Sequence, residues 1–146
     1  MRVFAAIRPS PQALEHLDSA LQEVRDAAGL TLRWGDPEQW HLTLAFHPDL
    51  PEGAVPATLE DRRRRRAHLT VGRLSARAPR APRRRRGEAR PPDPSQLVLS
   101  RAVHALSVYR GPAWDAEEVE LLSSHLGQGR SGGPRHELLG TVPLGG

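Results

Sequence analysis

The stretches HLTLAF (residues 41–46) and HLTVGR (68–73) share the tripeptide His-Leu-Thr, and each leads into a strand-like apolar run. In a β-strand, residues i and i+2 point to the same face and lie about 6–7 Å apart. Each stretch therefore predicts a strand that presents an imidazole beside a hydroxyl: His41 with Thr43, and His68 with Thr70. Two such strands lying next to each other would bring two histidines and two threonines to one surface.

These side chains suit phosphodiester chemistry without a metal. A neutral imidazole takes a proton from an attacking hydroxyl or water, and an imidazolium gives a proton to the leaving oxygen. Histidine fits both roles because its unperturbed pKa is about 6.5. Threonine hydroxyls donate to the nonbridging phosphate oxygens, where negative charge builds up. The two motifs are nearly identical, so the pattern leaves open which histidine is the acid and which is the base.

The other histidines have no matching context, and we expect them to be structural or solvated. They are His16, His47, His104, His125 and His136. No histidine spacing typical of a zinc-binding helix occurs, and the chain has no cysteine. The sequence therefore predicts no metal site and no cofactor.

The charge of the chain comes from arginine. All 21 basic residues are arginine, and they cluster at 62–66 and within 73–90. Such clusters suit a polyanion such as RNA, because guanidinium groups bind phosphate oxygens and release counterions. They are also typical of a solvated run that self-repulsion holds open. We predict a single domain over residues 1–146 with a disordered Arg/Pro-rich insert at 76–95.

The location of the chain follows from what its apolar runs exclude. None approaches the roughly 20 residues that cross a bilayer. The apolar run at the N-terminus stops at Arg8-Pro9, too early for a secretory signal. A cytoplasmic protein is therefore the expectation.

Alternating and helical patterns predict the elements of an α+β chain. Ser10-Pro11 is a helix start and Gly29 a helix stop. Within 40–46, strict alternation places His41, Thr43 and Ala45 on one face and Phe46 on the other. Strands are predicted at 2–7, 30–34, 40–46, 66–74, 116–126 and 136–144, and helices at 11–28 and 95–111.

Four segments, taken together, resemble a known family. They are MRVFAAIRPS (1–10), LRWGDPEQWHLTLAF (32–46), RRRRRAHLTVGR (62–73) and the tail from LVLSRAV onward (97–144). In this order they resemble the two-histidine (2H) phosphoesterases, specifically the RNA 2′,3′-cyclic phosphodiesterases of the 2′-5′ RNA ligase family.

The resemblance implies a bilobal α+β fold with antiparallel sheets around a central cleft. It implies metal-independent opening of a 2′,3′-cyclic phosphate at an RNA end, tRNA among the candidates, to leave a 2′-phosphomonoester. By this resemblance the catalytic residues are His41 and His68. The phosphate-binding residues are Thr43, Thr70 and Arg73, the last matching a basic position that follows the second motif.

The interval between the two motifs departs from the family. His41 and His68 are 27 positions apart, whereas the family places two helices and a pair of strands there. One lobe is therefore expected to be truncated, and a dimer would rebuild the missing layer over an exposed edge. The oligomeric state stays open.

Two alternatives to an active enzyme stay open at this point. One is a catalytically weak or inactive RNA-binding relative, in which the arginine runs hold the phosphate backbone. The other is an internally deleted chain that folds only marginally.

Overall fold

A computed structural model describes residues 1–49, 51, 67–80, 86–87, 89, 92–129 and 132–145. These residues form an α+β chain with antiparallel sheets, as the sequence predicts. The strands are β1 (Val3–Ile7), β2 (Leu32–Trp34), β3 (Leu42–His47), β4 (His68–Leu69), β5 (Gly72–Leu74), β6 (Glu118–His125) and β7 (Arg135–Pro143), and the helices are α1 (Pro11–Ala28) and α2 (Pro94–Leu106). Neither of these two helices is long and apolar enough to cross a membrane.

The chain divides into two compact units, each assembled from separate segments. The first contains Met1–Pro11, Gly35–Thr70 and Ala113–Gly146, and the second contains Gln12–Trp34 and Val71–Pro112. The chain passes from the first unit to the second between Thr70 and Val71, directly after the second His-Leu-Thr motif.

The first unit is built on a five-stranded sheet in the order β4-β3-β1-β6-β7, with every neighbouring pair antiparallel. β1 is the central strand, and its residues Val3 to Ala6 are at most 4% exposed. Such a continuous apolar run is what a strand covered on both faces requires. On one face, Phe4, Ala6 and Leu122 form a buried cluster.

A β-bulge changes the faces of β3. Ala5 pairs with Ala45 but Ala6 pairs with Thr43, so Leu44 is the extra residue. Directly opposed residues of an antiparallel pair share a face, and Phe46 pairs with Phe4. Phe46 therefore lies on the same face as Phe4 and Thr43, and the prediction that it lies on the face opposite Thr43 was wrong. The bulge lies beside the first motif, and bulges change the direction in which neighbouring side chains point.

The second unit packs the two helices on a two-stranded sheet of β2 and β5. α1 begins and ends where the sequence predicts, with Pro11 as its first residue and Gly29 beyond its end at φ +53°. Leu21 is fully buried. A second core cluster contains Ala28, Leu32 and Ala102, with Val24, Trp34, Val98 and Leu99 packed against it.

The predicted strand 66–74 is two strands in different sheets. β4 pairs with β3, whereas β5 pairs with β2. At Gly72 a Cβ would lie 3.0 Å from Cε3 of Trp34, so this close approach favours glycine. The pattern of alternation is continuous through Thr70 and Val71, but the pairing partner changes there.

Two predictions near α2 meet the structure only in part. α2 ends at Leu106 rather than at Gly111, and Asp93 caps its start by accepting from the Ser95 backbone N–H at 3.0 Å. The last residues of the predicted insert 76–95 thus belong to a helix. Its residues 81–85, 88, 90 and 91, and the arginine run 62–66, lie outside the described residues. The disordered insert stays a prediction.

Candidate active site

The first motif lies at the beginning of β3 and the second lies on β4, side by side in one sheet. Thr43 pairs directly with His68, and Leu42 pairs with Leu69. Because opposed residues share a face, Thr43 and His68 point to the same side. His41 is the diagonal neighbour of His68, and such neighbours lie about 7–8 Å apart at the backbone. The structure therefore brings His41, Thr43 and His68 together.

The remaining two predicted residues are placed differently. Thr70 directly follows β4 and is exposed. Arg73 lies on β5 in the second unit, where it pairs with Arg33 in the register of β2 and β5. The phosphate-binding roles of Thr70 and Arg73 stay predictions.

A tight turn before β3 orients the ring of His41. Asp36 caps one turn of 3₁₀-helix over Pro37–Gln39 by accepting from the Glu38 backbone N–H at 3.2 Å. This turn directs the Gln39 carbonyl at His41, whose Nδ1 lies 2.7 Å from that oxygen. A carbonyl only accepts, so Nδ1 carries the proton and donates it. In neutral His41 the lone pair is therefore on Nε2, which fits a proton acceptor.

The surroundings of His41 favour its neutral form. Burial lowers the pKa of His41, and the nearby charges of Arg8 and His68 lower it further. The hydrogen bond to Gln39 and the carboxylate of Glu120 act in the opposite direction, but the net shift is downward. His41 thus stays available as a base at lower pH than an ordinary histidine.

An ion pair that sequence reasoning missed lies at the same site. Arg8 follows β1 and donates to Glu120 from Nε at 3.0 Å and from Nη2 at 2.9 Å. Its Nη1 donates to the Glu38 carbonyl at 2.7 Å, and the hydrogen bonds to Glu120 raise the pKa of Arg8. The carboxylate of Glu120 is only 12% exposed. The sequence did contain a signal for this ion pair. Glu120 lies on the same strand face as the apolar Leu122, and a carboxylate on an apolar face needs a cation beside it.

A third histidine also lies at the site, contrary to expectation. His136 belongs to β7, and its ring centroid is 5.0 Å from that of His41 and 4.9 Å from that of Phe4. Burial, together with the charges of His41 and Arg8, lowers the pKa of His136 to about 4. The sequence offered little signal, because only the pairing of β6 with β7 brings residue 136 beside Phe4.

The charges of Arg8 and Glu120 should move the titration of His41 in opposite directions. Arg8→Met removes a positive charge and should raise the pKa of His41, whereas Glu120→Gln removes a negative charge and should lower it. A partly solvated charge contributes up to about 1 kcal/mol, which corresponds to about 0.7 pH unit. Histidine titration by ¹⁵N NMR measures both variants. Shifts of the same sign in the two variants would contradict this electrostatic account.

The chain matches a protein-family model described as "LigT like Phosphoesterase" over residues 7–85, more than half of its length and both motifs. The chain belongs to the LigT-like phosphoesterase family. Membership of this family supports a phosphoesterase-type activity for the chain. No curated protein was found to match it.

One solved structure supports the fold of this LigT-like phosphoesterase. The crystal structure of TT0787 of Thermus thermophilus superposes with a TM-score of 0.58, covering 99% of this chain and 98% of that chain. At 18% identity this likeness shows the fold alone. The expected shortening of one lobe stays a prediction.

The histidines and carboxylates of this LigT-like phosphoesterase form no metal-binding group in the part of the chain that the structure describes. No three of these side chains come together there in a way that would hold a cation. The expectation of a metal-independent reaction stays a prediction.

Proposed function

We propose that this protein hydrolyses the 2′,3′-cyclic phosphate at an RNA end to a 2′-phosphomonoester, without a metal. The observation that carries the proposal is the state of His41. Its Nδ1 proton is committed to Gln39, its pKa is lowered mainly by burial, and it lies one strand away from His68. A proton acceptor beside a second imidazole is what the opening of a cyclic phosphodiester requires.

His41 is the base in this proposal, and His68 is the acid. A water oxygen attacks the phosphorus while Nε2 of His41 takes the water proton. The bond from phosphorus to O3′ breaks, and His68 gives its proton to O3′, so the phosphate stays on O2′. His68 is exposed, so it regains a proton from solvent. Such proton transfers contribute about 10²–10⁴-fold each.

Threonine hydroxyls hold the phosphate in the proposed mechanism. In this proposal the Thr43 hydroxyl donates to a nonbridging oxygen of the phosphate that His68 also contacts, and the position of Thr43 opposite His68 supports this role. If the register of β3 and β4 continues by one pair, Thr70 lies opposite His41 in the same way. The role of Arg73 is supported by the family resemblance alone.

An oligoribonucleotide ending in a 2′,3′-cyclic phosphate tests the proposed function. The protein should convert that end to a 2′-phosphate, identified by ³¹P NMR, at an unchanged rate in EDTA. The matched control is the double variant His41→Ala/His68→Ala, which should be slower by at least about 10²–10⁴-fold. A 3′-phosphate product or loss of activity in EDTA would contradict the mechanism. Absence of turnover, together with RNA binding that weakens steeply with salt, would instead support the RNA-binding alternative.

A further inference from the structure

His136 makes an aromatic cluster with the candidate base. The rings of Phe4 and His41 lie 4.7 Å apart at an interplanar angle of 30°, and the ring of His136 stands across both. It meets Phe4 at 74° and His41 at 80°. Edge-to-face contacts at these distances are favourable and fix the relative orientation of rings. His136 thus restricts how the ring of His41 can turn.

Packing alone does not explain a histidine at this position. Nδ1 of His136 is buried and has no hydrogen-bond partner among the described residues. A buried polar atom without a partner costs about 1–3 kcal/mol, and phenylalanine would fill the place without that cost. Such an atom in a native structure points to a role other than packing.

Burial is the main reason that His136 stays neutral, and the charges around it act in the same direction. After burial, the charge of His41, which precedes β3, and then that of Arg8, which follows β1, lower the pKa of His136. The other titratable groups that act on His41 are Glu120 of β6 and His68 of β4. On β7 itself, Glu137 faces the other side, where it pairs with His125 at 3.3 Å. A neutral ring at residue 136 adds no repulsion when His41 accepts a proton.

We propose that His136 is a positioning residue for His41: its ring, which stands at 80° to the His41 imidazole, holds that imidazole against the Gln39 carbonyl, so that Nε2 stays directed at the substrate. This inference rests on the proposed function for its catalytic consequence. Its structural content, which is the orientation and tautomer of His41, does not depend on any substrate.

Removal of the His136 ring tests this proposal. In His136→Ala, water reaches His41, so the Nδ1–H tautomer should become mixed and the titration midpoint of His41 should rise toward that of an ordinary histidine. ¹⁵N chemical shifts of labelled histidine report both properties without substrate. With a cyclic phosphate substrate, kcat at pH 7 should fall about tenfold or more, with KM within about twofold because substrate binding is not removed.

Three further variants complete the test. His136→Phe keeps an aromatic ring and should retain the tautomer and titration midpoint of His41. His136→Leu, which replaces His136→Ala if that variant does not fold, should lose both. His125→Ala is the matched control, because His125 lies on the opposite face of the same hairpin, where its ring is hydrogen-bonded to the Ser123 hydroxyl. The proposal would be overturned if His41 kept its tautomer and its titration midpoint in His136→Ala or His136→Leu. If neither the wild-type protein nor any variant hydrolyses the cyclic phosphate, but the tautomer and titration midpoint of His41 change as expected, the proposed function fails and the positioning role stands.

Discussion

His41→Gln should lower kcat for hydrolysis of a 2′,3′-cyclic phosphate by about 10²–10⁴-fold, the contribution of a positioned general base. The variant should also lose the acidic limb of its pH–rate profile. In the wild-type protein that limb reflects protonation of His41: activity falls as the pH falls through its pKa, and the lowered pKa places the limb below that of an ordinary histidine. Measurement of kcat/KM from about pH 4 to 9 checks both statements, because this ratio reports groups of the free enzyme.

His68→Gln should cause a loss of similar size but remove the opposite limb. An acid must carry its proton, so activity that depends on His68 falls as the pH rises. The double variant should be little worse than either single variant, because groups that act as a unit are not additive. His104→Gln is the control, since His104 is exposed on α2 in the second unit and should leave the profile unchanged. Retention of both limbs in either single variant would refute the two-histidine mechanism.

Phe4→Ala should lower the free energy of unfolding by about 3–5 kcal/mol, the usual cost of removing a buried phenylalanine. Phe4 is 3% exposed, packs with Ala6 and Leu122, and contacts the rings of His41 and His136. Its removal leaves a cavity under the candidate site as well as in the core. Urea denaturation followed by circular dichroism measures the change. Phe4→Leu, which retains most of the volume, should lose less and serves if the alanine variant does not fold.

Phe46→Ala is the matched control for this experiment. Phe46 is directly opposite Phe4 in the register of β1 and β3, but it is 38% exposed. Its ring packs under the guanidinium of Arg2 at 5.8 Å, an exposed contact that contributes about 0.5–1 kcal/mol. Because more than a third of the Phe46 surface is already exposed, the control should cost about 1–2 kcal/mol, clearly less than Phe4→Ala. Equal losses for the two phenylalanines would show that the buried cluster is not the source of stability.

The elements fixed by local chemistry could be predicted from the sequence. α1 begins at Pro11 and ends before Gly29 because both signals act within one turn of the helix. β1 is recognisable because a strand covered on both faces is apolar throughout. The two His-Leu-Thr motifs were found for the same reason, since a period of two residues is a property of each strand by itself.

The features that depend on distant pairing could not be predicted. The alternation across residues 66–74 is regular, so nothing in it shows that β4 and β5 join different sheets. The bulge at Leu44 arises only when β3 meets β1, and it reverses the expected face of Phe46. His136 reaches Phe4 and His41 only because β6 and β7 return from the far end of the chain to the central strand.

The turn over Pro37–Gln39 serves the site through main-chain atoms. Arg8 donates a hydrogen bond to the backbone carbonyl of Glu38, and His41 donates one to the backbone carbonyl of Gln39. The side chains of Glu38 and Gln39 take no part in these two bonds. Mutational tolerance at residues 38 and 39 should therefore be broad, although both residues contact the charged and proton-accepting groups of the site. Alanine substitutions at these two positions should leave activity nearly unchanged. A proline or an insertion that redirects the peptide planes should abolish it.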